Sequence, residues 1–374
     1  MGRNTTQLTA PFPYMGGKSR FAKLILPRLG NPRDYSHMVF CEPFAGSLAI
    51  LLANPTPFGR EIVTDTNGLI SNFWRSMQAA PDEVAAWADF PTFHDDLHAR
   101  HLWLVRWAAE HRDAIWNDAD FCDPKAAGWW AWGQSSWVGG GWCAAAESDS
   151  EVHDKRPHIS KHPGGGAIVQ AQSLTIPAVL DIRPFASVLN TGQGVQAQRQ
   201  GGPKIKESRP VSKGEFGGLG INAQSRQLSG AIGTGARLLP WFRALQERIA
   251  RVVVLNRPWE SAVTPTLLMQ HYDGCRGVRI IMDPPYRTDT GRSQGIYHGD
   301  AQATDVATAA YDWAVAHGDR YGIVYFCHDG DFALPAGWEA IYLSFSQGRP
   351  GSRDMAMLSL ALSESRPAQR RLIA

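Results

Sequence analysis

Short apolar runs bounded by turn residues alternate with amphipathic stretches in two parts of this chain. Residues 37–47, HMVFCEPFAGS, read as a buried strand, a turn and the start of a helix. Residues 59–78, GREIVTDTNGLISNFWRSMQ, repeat the idea: a strand ending near Asp65, then a helix with Leu69, Ile70, Phe73 and Met77 on one face. Far downstream, the spacing of Leu239, Phe242, Leu245 and Ile249 predicts a helix over 238–250. RVVVLN (251–256), GVRIIMD (277–283) and YGIVYFC (321–327) look like buried parallel strands, with a helix over 304–317 between the last two. WEAIYLSFS and MAMLSLALS are expected to pair as an antiparallel hairpin across 347–354.

Strands alternating with helices imply an α/β fold built on a doubly wound sheet, whose ligand lies beyond the carboxyl ends of the strands near the topological switch point. About 160 residues are inserted between the second strand and the third. The chain therefore divides into a core in two parts, 1–80 and 238–374, around an insert over 81–237. A length of 374 residues suits two or three domains. With 44% apolar and 19% charged residues, a full core can form and wholesale disorder is excluded.

No window approaches the roughly 18 uninterrupted apolar residues of a membrane span. The opening MGRNTTQLTA lacks the apolar stretch of a secretory signal. Both point to a soluble protein of the cytoplasm with no membrane partner. The five cysteines are scattered, without a Cys-x-x-Cys pair, which argues against disulfides and structural zinc. His94 and His98 have the spacing of a helical metal pair but frame Asp-Asp-Leu, so a solvated helix face is the simpler reading and no metal is expected.

The net charge of +2 hides an asymmetry. Residues 81–150 carry twelve acidic and four basic side chains, whereas 151–240 carry eleven basic and five acidic. A basic half of this kind points to a polyanionic partner. Eleven glycines fall within 191–240, among Arg199, Lys204, Lys206, Arg209, Lys213, Arg226 and Arg237. That composition suits a loop making phosphate contacts, or more plainly a basic surface loop. Five tryptophans lie within 129–142. They are expected to pack the insert's core or its seam, with aromatic wedges against bases as the lesser alternative. Trp103, Leu104 and Trp107 are most simply core.

Three stretches carry chemistry. Asp283-Pro284-Pro285-Tyr286 follows the apolar run GVRII. Two prolines make a rigid elbow that aims the Asp283 carboxylate and the Pro284 carbonyl at one target, two acceptors suited to an exocyclic NH₂. Tyr286 then offers a flat face to the ring bearing that amine. The plainer reading is a strand-ending turn with a buried tyrosine. The second stretch, Glu42-Pro43-Phe44-Ala45-Gly46-Ser47, is the first strand–helix turn, where Gly46 permits close approach of a ligand. Asp65 closes the next strand nineteen residues after Gly46, a place that commonly holds ribose hydroxyls, although an N-cap role fits equally. The third, Tyr14-Met15-Gly16-Gly17-Lys18-Ser19, is not a phosphate loop, because Phe12 stands where the first glycine belongs and no strand precedes it. Lys18 is a cation for a polar or carboxylate ligand, or part of a basic helix entry, and Tyr14 is a candidate stacking surface.

Together PYMGGKSR, FCEPFAGS, TDTNGLI and MDPPY, in that order and with the insert ahead of DPPY, resemble the Dam-like (class alpha) DNA adenine-N6 methyltransferases. The resemblance covers about 1–80 and 238–330. It implies a Rossmann-like methyltransferase core with an inserted target-recognition domain, S-adenosylmethionine as methyl donor, and double-stranded DNA as substrate. It also implies that Tyr14, Lys18, Asp65 and Asp283 contact the cofactor, with Glu42, Phe44 and Gly46 around it. Asp283, Pro284, Pro285 and Tyr286 hold an extruded adenine on the same likeness. Tyr14 replaces a more usual tryptophan, and Leu48 a second small residue. The insert looks phage- or prophage-type, and a restriction partner is not legible. Cytosine-N4 methylation, modification of a glutamine amide, and a DNA-binding relative without catalysis are the alternatives.

Overall fold

The structure is a computed structural model describing residues 8–14, 17–90, 94–137, 142–143, 155–159, 169–173, 235–269, 274–287, 303–342 and 353–363. Two compact units emerge. One comprises residues 1–8, 16–67 and 248–374; the other comprises 9–15 and 68–247.

The first unit is a seven-stranded sheet. Its strands are β1 (Met38–Glu42), β2 (Arg60–Thr64), β5 (Val252–Leu255), β6 (Gly277–Met282), β7 (Gly322–His328), β8 (Glu339–Tyr342) and β9 (Asp354–Leu358). The second unit holds β3 (Lys155–Ile159) and β4 (Val169–Ser173), which pair antiparallel with each other. In space the seven-stranded order is β5-β2-β1-β6-β7-β9-β8. The first five run parallel, and β9 runs antiparallel to both β7 and β8. This is a mostly parallel, Rossmann-like sheet. Aliphatic runs such as VVVL and GVRIIM suit it, because parallel strands are covered on both faces. Val39, Cys41, Val278, Ile280, Ile323 and Tyr325 pack on one face with Trp259, Leu268 and Ala310. On alternate positions Phe40 stacks on Phe58 and Phe326 meets Phe21 edge-on.

The sheet order puts β1 between β2 and β6, so the chain turns away in opposite directions on its two sides. That is the switch point, where the loops leaving β1 and β6 open a crevice. At the far edge, MAMLSLALS does not stay extended as expected. Its first half is β9, antiparallel to β8 as anticipated, but Leu360–Ser363 turns into a short helix. Ser359 makes the change: its hydroxyl donates to the Tyr321 carbonyl and accepts from the Ile323 amide, which ties the chain to β7 there.

The second unit is built around helices Gly68–Ala79, Pro81–Ala88, His94–Glu110, Arg112–Asn117 and Pro124–Ser136. The first buries Leu69, Ile70, Phe73 and Met77 as the spacing predicts, and also Trp74 and Arg75, because it is enclosed on nearly every side. Arg75 donates to the carbonyls of Ile115 and Asp118. Asp123 caps the helix Pro124–Ser136 through the amides of Lys125 and Ala126, with proline at its first position.

The tryptophans pack. Trp130 and Trp132 are fully buried, Trp132 Nε1 donates to the Phe90 carbonyl, and Trp142 Nε1 donates to the Trp130 carbonyl. Lys125 lies 4.5 Å from the Trp129 ring centre and 4.9 Å from that of Trp103, and Arg100 lies 4.5 Å from that of Trp132. These ring faces are filled by cations of the same unit. Gly128 lies against backbone as well as side chain. A Cβ there would sit 2.5 Å from Trp87 Cβ and 2.7 Å from the Val84 carbonyl oxygen. Gly128→Ala is expected to destabilise the unit by about 1–3 kcal/mol despite alanine's better helix propensity, since a backbone oxygen cannot yield. A urea melt of the variant, read by tryptophan fluorescence, measures this.

Candidate active site

Strand β6 ends at Met282, and the elbow begins with Asp283 at the switch point. No peptide bond in the described residues is cis, so both elbow prolines are trans. The Asp283 carboxylate keeps about a quarter of its surface exposed, whereas Lys18, just ahead of the helix Ser19–Ile25, is buried. Lys18 Nζ lies 2.6 Å from Asp283 Oδ1, a charge-assisted hydrogen bond. The same ammonium is 4.9 Å from the centre of the Tyr286 ring and 5.4 Å from that of Phe326. Tyr286 is itself buried, with its ring edge-on to His328 at 4.7 Å.

The turn after β1 is held by Asp65. Its Oδ2 accepts from the Gly46 amide at 3.0 Å and its Oδ1 from the Asn67 amide at 2.9 Å. The carboxylate therefore braces the glycine turn and closes an Asx turn before the next helix. Gly46 sits at φ +44°, in the left-handed region that glycine tolerates. Leu48 follows at φ +52° and is buried. Its side chain fills the core in a conformation where a small residue would be relaxed. Phe44 stacks on Trp259 at 6.2 Å.

Glu42 ends β1 and is almost fully buried, and its Oε2 has no hydrogen-bond partner among the described residues. Burial pushes its carboxyl well above the usual range, with Asp283 and Glu61 adding repulsion against a partial offset from Arg248. Asp283 is also raised, chiefly by burial, with Lys18 opposing and Asp354 reinforcing the rise. A carboxyl raised on folding favours the folded state at pH below its unfolded value, and that contribution is lost as pH climbs through the folded value. Glu42→Gln removes the titration. The variant is expected to lose less stability than the parent as pH rises above about 4.5. Thermal melts from pH 4 to pH 8 give the comparison.

Two supporting pairs carry no motif in the sequence. His328, at the end of β7, has Nδ1 3.0 Å from Asp354 Oδ1 at the start of β9. A polar residue at the carboxyl end of a strand next to the switch strand was the available signal. Arg248 lies at the end of the helix Gly235–Ile249 and grips Glu61 with Nη1 at 2.7 Å and Nη2 at 2.8 Å. Only the fold brings that pair together.

Lys18, Glu42, Asp283 and Tyr286 thus converge through contact or charge, with Gly46 and Asp65 joined on the neighbouring turn. Tyr14 belongs to the second unit, where it meets Phe12 edge-on at 6.4 Å. Arg199, Lys204, Lys206, Arg209, Lys213 and Arg226 lie outside the described residues, as does the side chain of Arg237.

Residues 14–95 match the family described as D12 class N6 adenine-specific DNA methyltransferase. Over that stretch the chain is similar to the adenine-specific DNA methyltransferases of this class. Members of this family are enzymes that act on DNA and depend on S-adenosylmethionine. The matched stretch includes Tyr14, Lys18, the Glu42–Ser47 turn and Asp65, and the DPPY elbow lies beyond it. No curated protein matches the chain significantly. No helix among the described residues is long and apolar enough to cross a membrane, and none of their His, Cys, Asp and Glu side chains form a group of three or more able to hold a metal.

Proposed function

We propose that this chain transfers a methyl group from S-adenosylmethionine to N6 of an adenine extruded from duplex DNA. The observation that carries the reading is the convergence of the Asp283 elbow with the β1 turn at the switch point. The residues present fit the cofactor: Glu42 offers a buried carboxyl oxygen without a partner among the described residues, and Gly46 leaves the turn open to close approach. Glu42, Phe44, Gly46 and Asp65, with Tyr14, Lys18 and Asp283, are the residues proposed to hold it. Bound there, S-adenosylmethionine supplies an electrophilic methyl group on a sulfonium.

Adenine's amino nitrogen is a poor nucleophile because its lone pair is delocalised into the ring. Hydrogen bonds from N6 to Asp283 and to the Pro284 carbonyl favour a pyramidal nitrogen and fix its direction. Positioning and preorganised acceptors then provide the rate, with direct transfer and no covalent enzyme intermediate. A base within a duplex cannot reach such an elbow, so it has to leave the stack, with Tyr286 as its platform. The insert over 81–237 is proposed as the target-recognition domain, and its basic residues Arg199 to Arg226 as phosphate contacts. A DNA substrate supports the reading of a cytoplasmic enzyme of a bacterial host cell.

Incubation with labelled S-adenosylmethionine and unmethylated DNA, followed by nucleoside analysis, is expected to yield labelled N6-methyladenine. Labelled N4-methylcytosine overturns the choice of base, and no label with retained DNA binding favours the non-catalytic reading.

A further inference from the structure

The acceptor meant for adenine N6 and the ring meant to stack on the base are both engaged by one atom, Lys18 Nζ. It bonds Asp283 Oδ1 at 2.6 Å and sits over the Tyr286 ring at 4.9 Å. An ammonium resembles the amino group of adenine in the one respect the carboxylate reads: it presents N–H donors. It also covers the π face that a planar ring would use. We infer that Lys18 is a positioning residue for Asp283 rather than a cofactor contact, holding the acceptor and the tyrosine face until the target base displaces it. This rests on the function proposed above and revises one contact within it.

The charges around Asp283 make the role necessary. Glu42 approaches from β1 and Asp354 from β9, the latter paired with His328 of β7, and the Tyr325 ring lies on β7 as well. Tyr286 faces it from its own elbow. Burial first, and the Asp354 carboxylate after it, therefore favour protonation of Asp283, and a protonated acid cannot accept from N6 on that oxygen. Arg248 does not relieve it, because its guanidinium is committed to Glu61 and to the carbonyls of Leu51 and Asn54. Lys18 supplies the opposing charge at contact distance. One of the ammonium's three donors is held by Asp283, and the placeholder role uses that bond directly.

The test compares Lys18→Met and Lys18→Arg with the parent. Cofactor affinity is measured by calorimetry with S-adenosylmethionine, and single-turnover methylation of unmethylated genomic DNA is followed against pH. In Lys18→Met the affinity is expected to stay within about twofold. The acid limb of the rate is expected to move at least one unit to higher pH, a tenfold loss below the limb. Lys18→Arg should restore the limb. Carboxyl carbon NMR of the ligand-free protein assigns the limb to Asp283 rather than His328, and reads the same shift in a variant with no turnover. On duplex DNA carrying 2-aminopurine for part of its adenine, Lys18→Met is expected to give a faster fluorescence rise. A tenfold loss of cofactor affinity with an unmoved Asp283 titration overturns the inference, and so does an unmoved titration alone. If the parent transfers no methyl to DNA, the function fails while the Asp283 titration still reports on Lys18.

Discussion

Asp283→Ala is expected to lower methyl transfer at least about a thousandfold while leaving a folded enzyme that still binds DNA. The magnitude follows from what is removed: a fixed acceptor in a site sheltered from water, where one such group contributes about 10²–10³ in rate and a charged one more. The fold should survive because Asp283 lies after the last residue of β6 and contributes nothing to the strand's ladder. Stability will still fall somewhat, because Lys18 loses the carboxylate that it contacts at 2.6 Å. Asp283→Asn separates the two effects. The amide keeps an oxygen for Lys18 and the shape of the elbow, yet carries no charge, so its melting temperature should lie nearer the parent's while its turnover stays as low as that of the alanine variant. Single-turnover rates with saturating cofactor, alongside circular dichroism melts, give both quantities. Turnover within tenfold of the parent in either variant removes Asp283 from the reaction.

The parts of this molecule legible in its sequence are those governed by local pattern. The strand MVFCE, the carboxylate after GVRIIM and the helix carrying Leu69, Ile70, Phe73 and Met77 all announce themselves by period and by the residue that ends them. The spacing of Asp65 after Gly46 marks an acid at the next strand end, pointing to a ribose or a helix cap; that it accepts from the Gly46 amide emerges only from the fold, which sets consecutive strand ends side by side. What spacing cannot show is contact between distant segments. Lys18 and Asp283 are 265 positions apart in sequence, and nothing local says that the cation belongs to that carboxylate. His328 and Asp354 meet only because β9 folds back along β7 in antiparallel register. LALS carries a pattern compatible with a strand, and it becomes a helix because Ser359 ties the chain to β7 first. Composition alone left the tryptophans divided between core and wedge; in the second unit, Trp130 and Trp132 are buried and the rings around them are covered by Lys125 and Arg100.

Arg248→Met should be among the most damaging single changes away from the elbow, costing about 3–5 kcal/mol. Its guanidinium is buried and makes four hydrogen bonds: two to the Glu61 carboxylate, one to the Leu51 carbonyl and one to the Asn54 carbonyl. Methionine fills similar volume but donates to none of them. Glu61 would keep the Phe58 amide at 3.1 Å and lose its counter-ion in a buried setting, while the helix Ala49–Ala53 would lose the cation at its carbonyl end. For a domain of this size the loss corresponds to a fall of roughly 6–20 °C in melting temperature. The injury should come mostly from the stranded carboxylate. Adding Glu61→Leu to Arg248→Met is therefore expected to recover more than half of the loss, since a buried pair replaced as a unit by apolar side chains is often nearly neutral. Arg248 also offsets part of the repulsion felt by Glu42. Without it Glu42 holds its proton more tightly, and a cofactor contact that requires an ionised Glu42 weakens even where the double variant has regained its stability. Urea melts of the two singles and the double, with calorimetric titration of S-adenosylmethionine into each, complete the cycle. Strict additivity of the two substitutions would mean that the stranded Glu61 carboxylate is not the source of the loss.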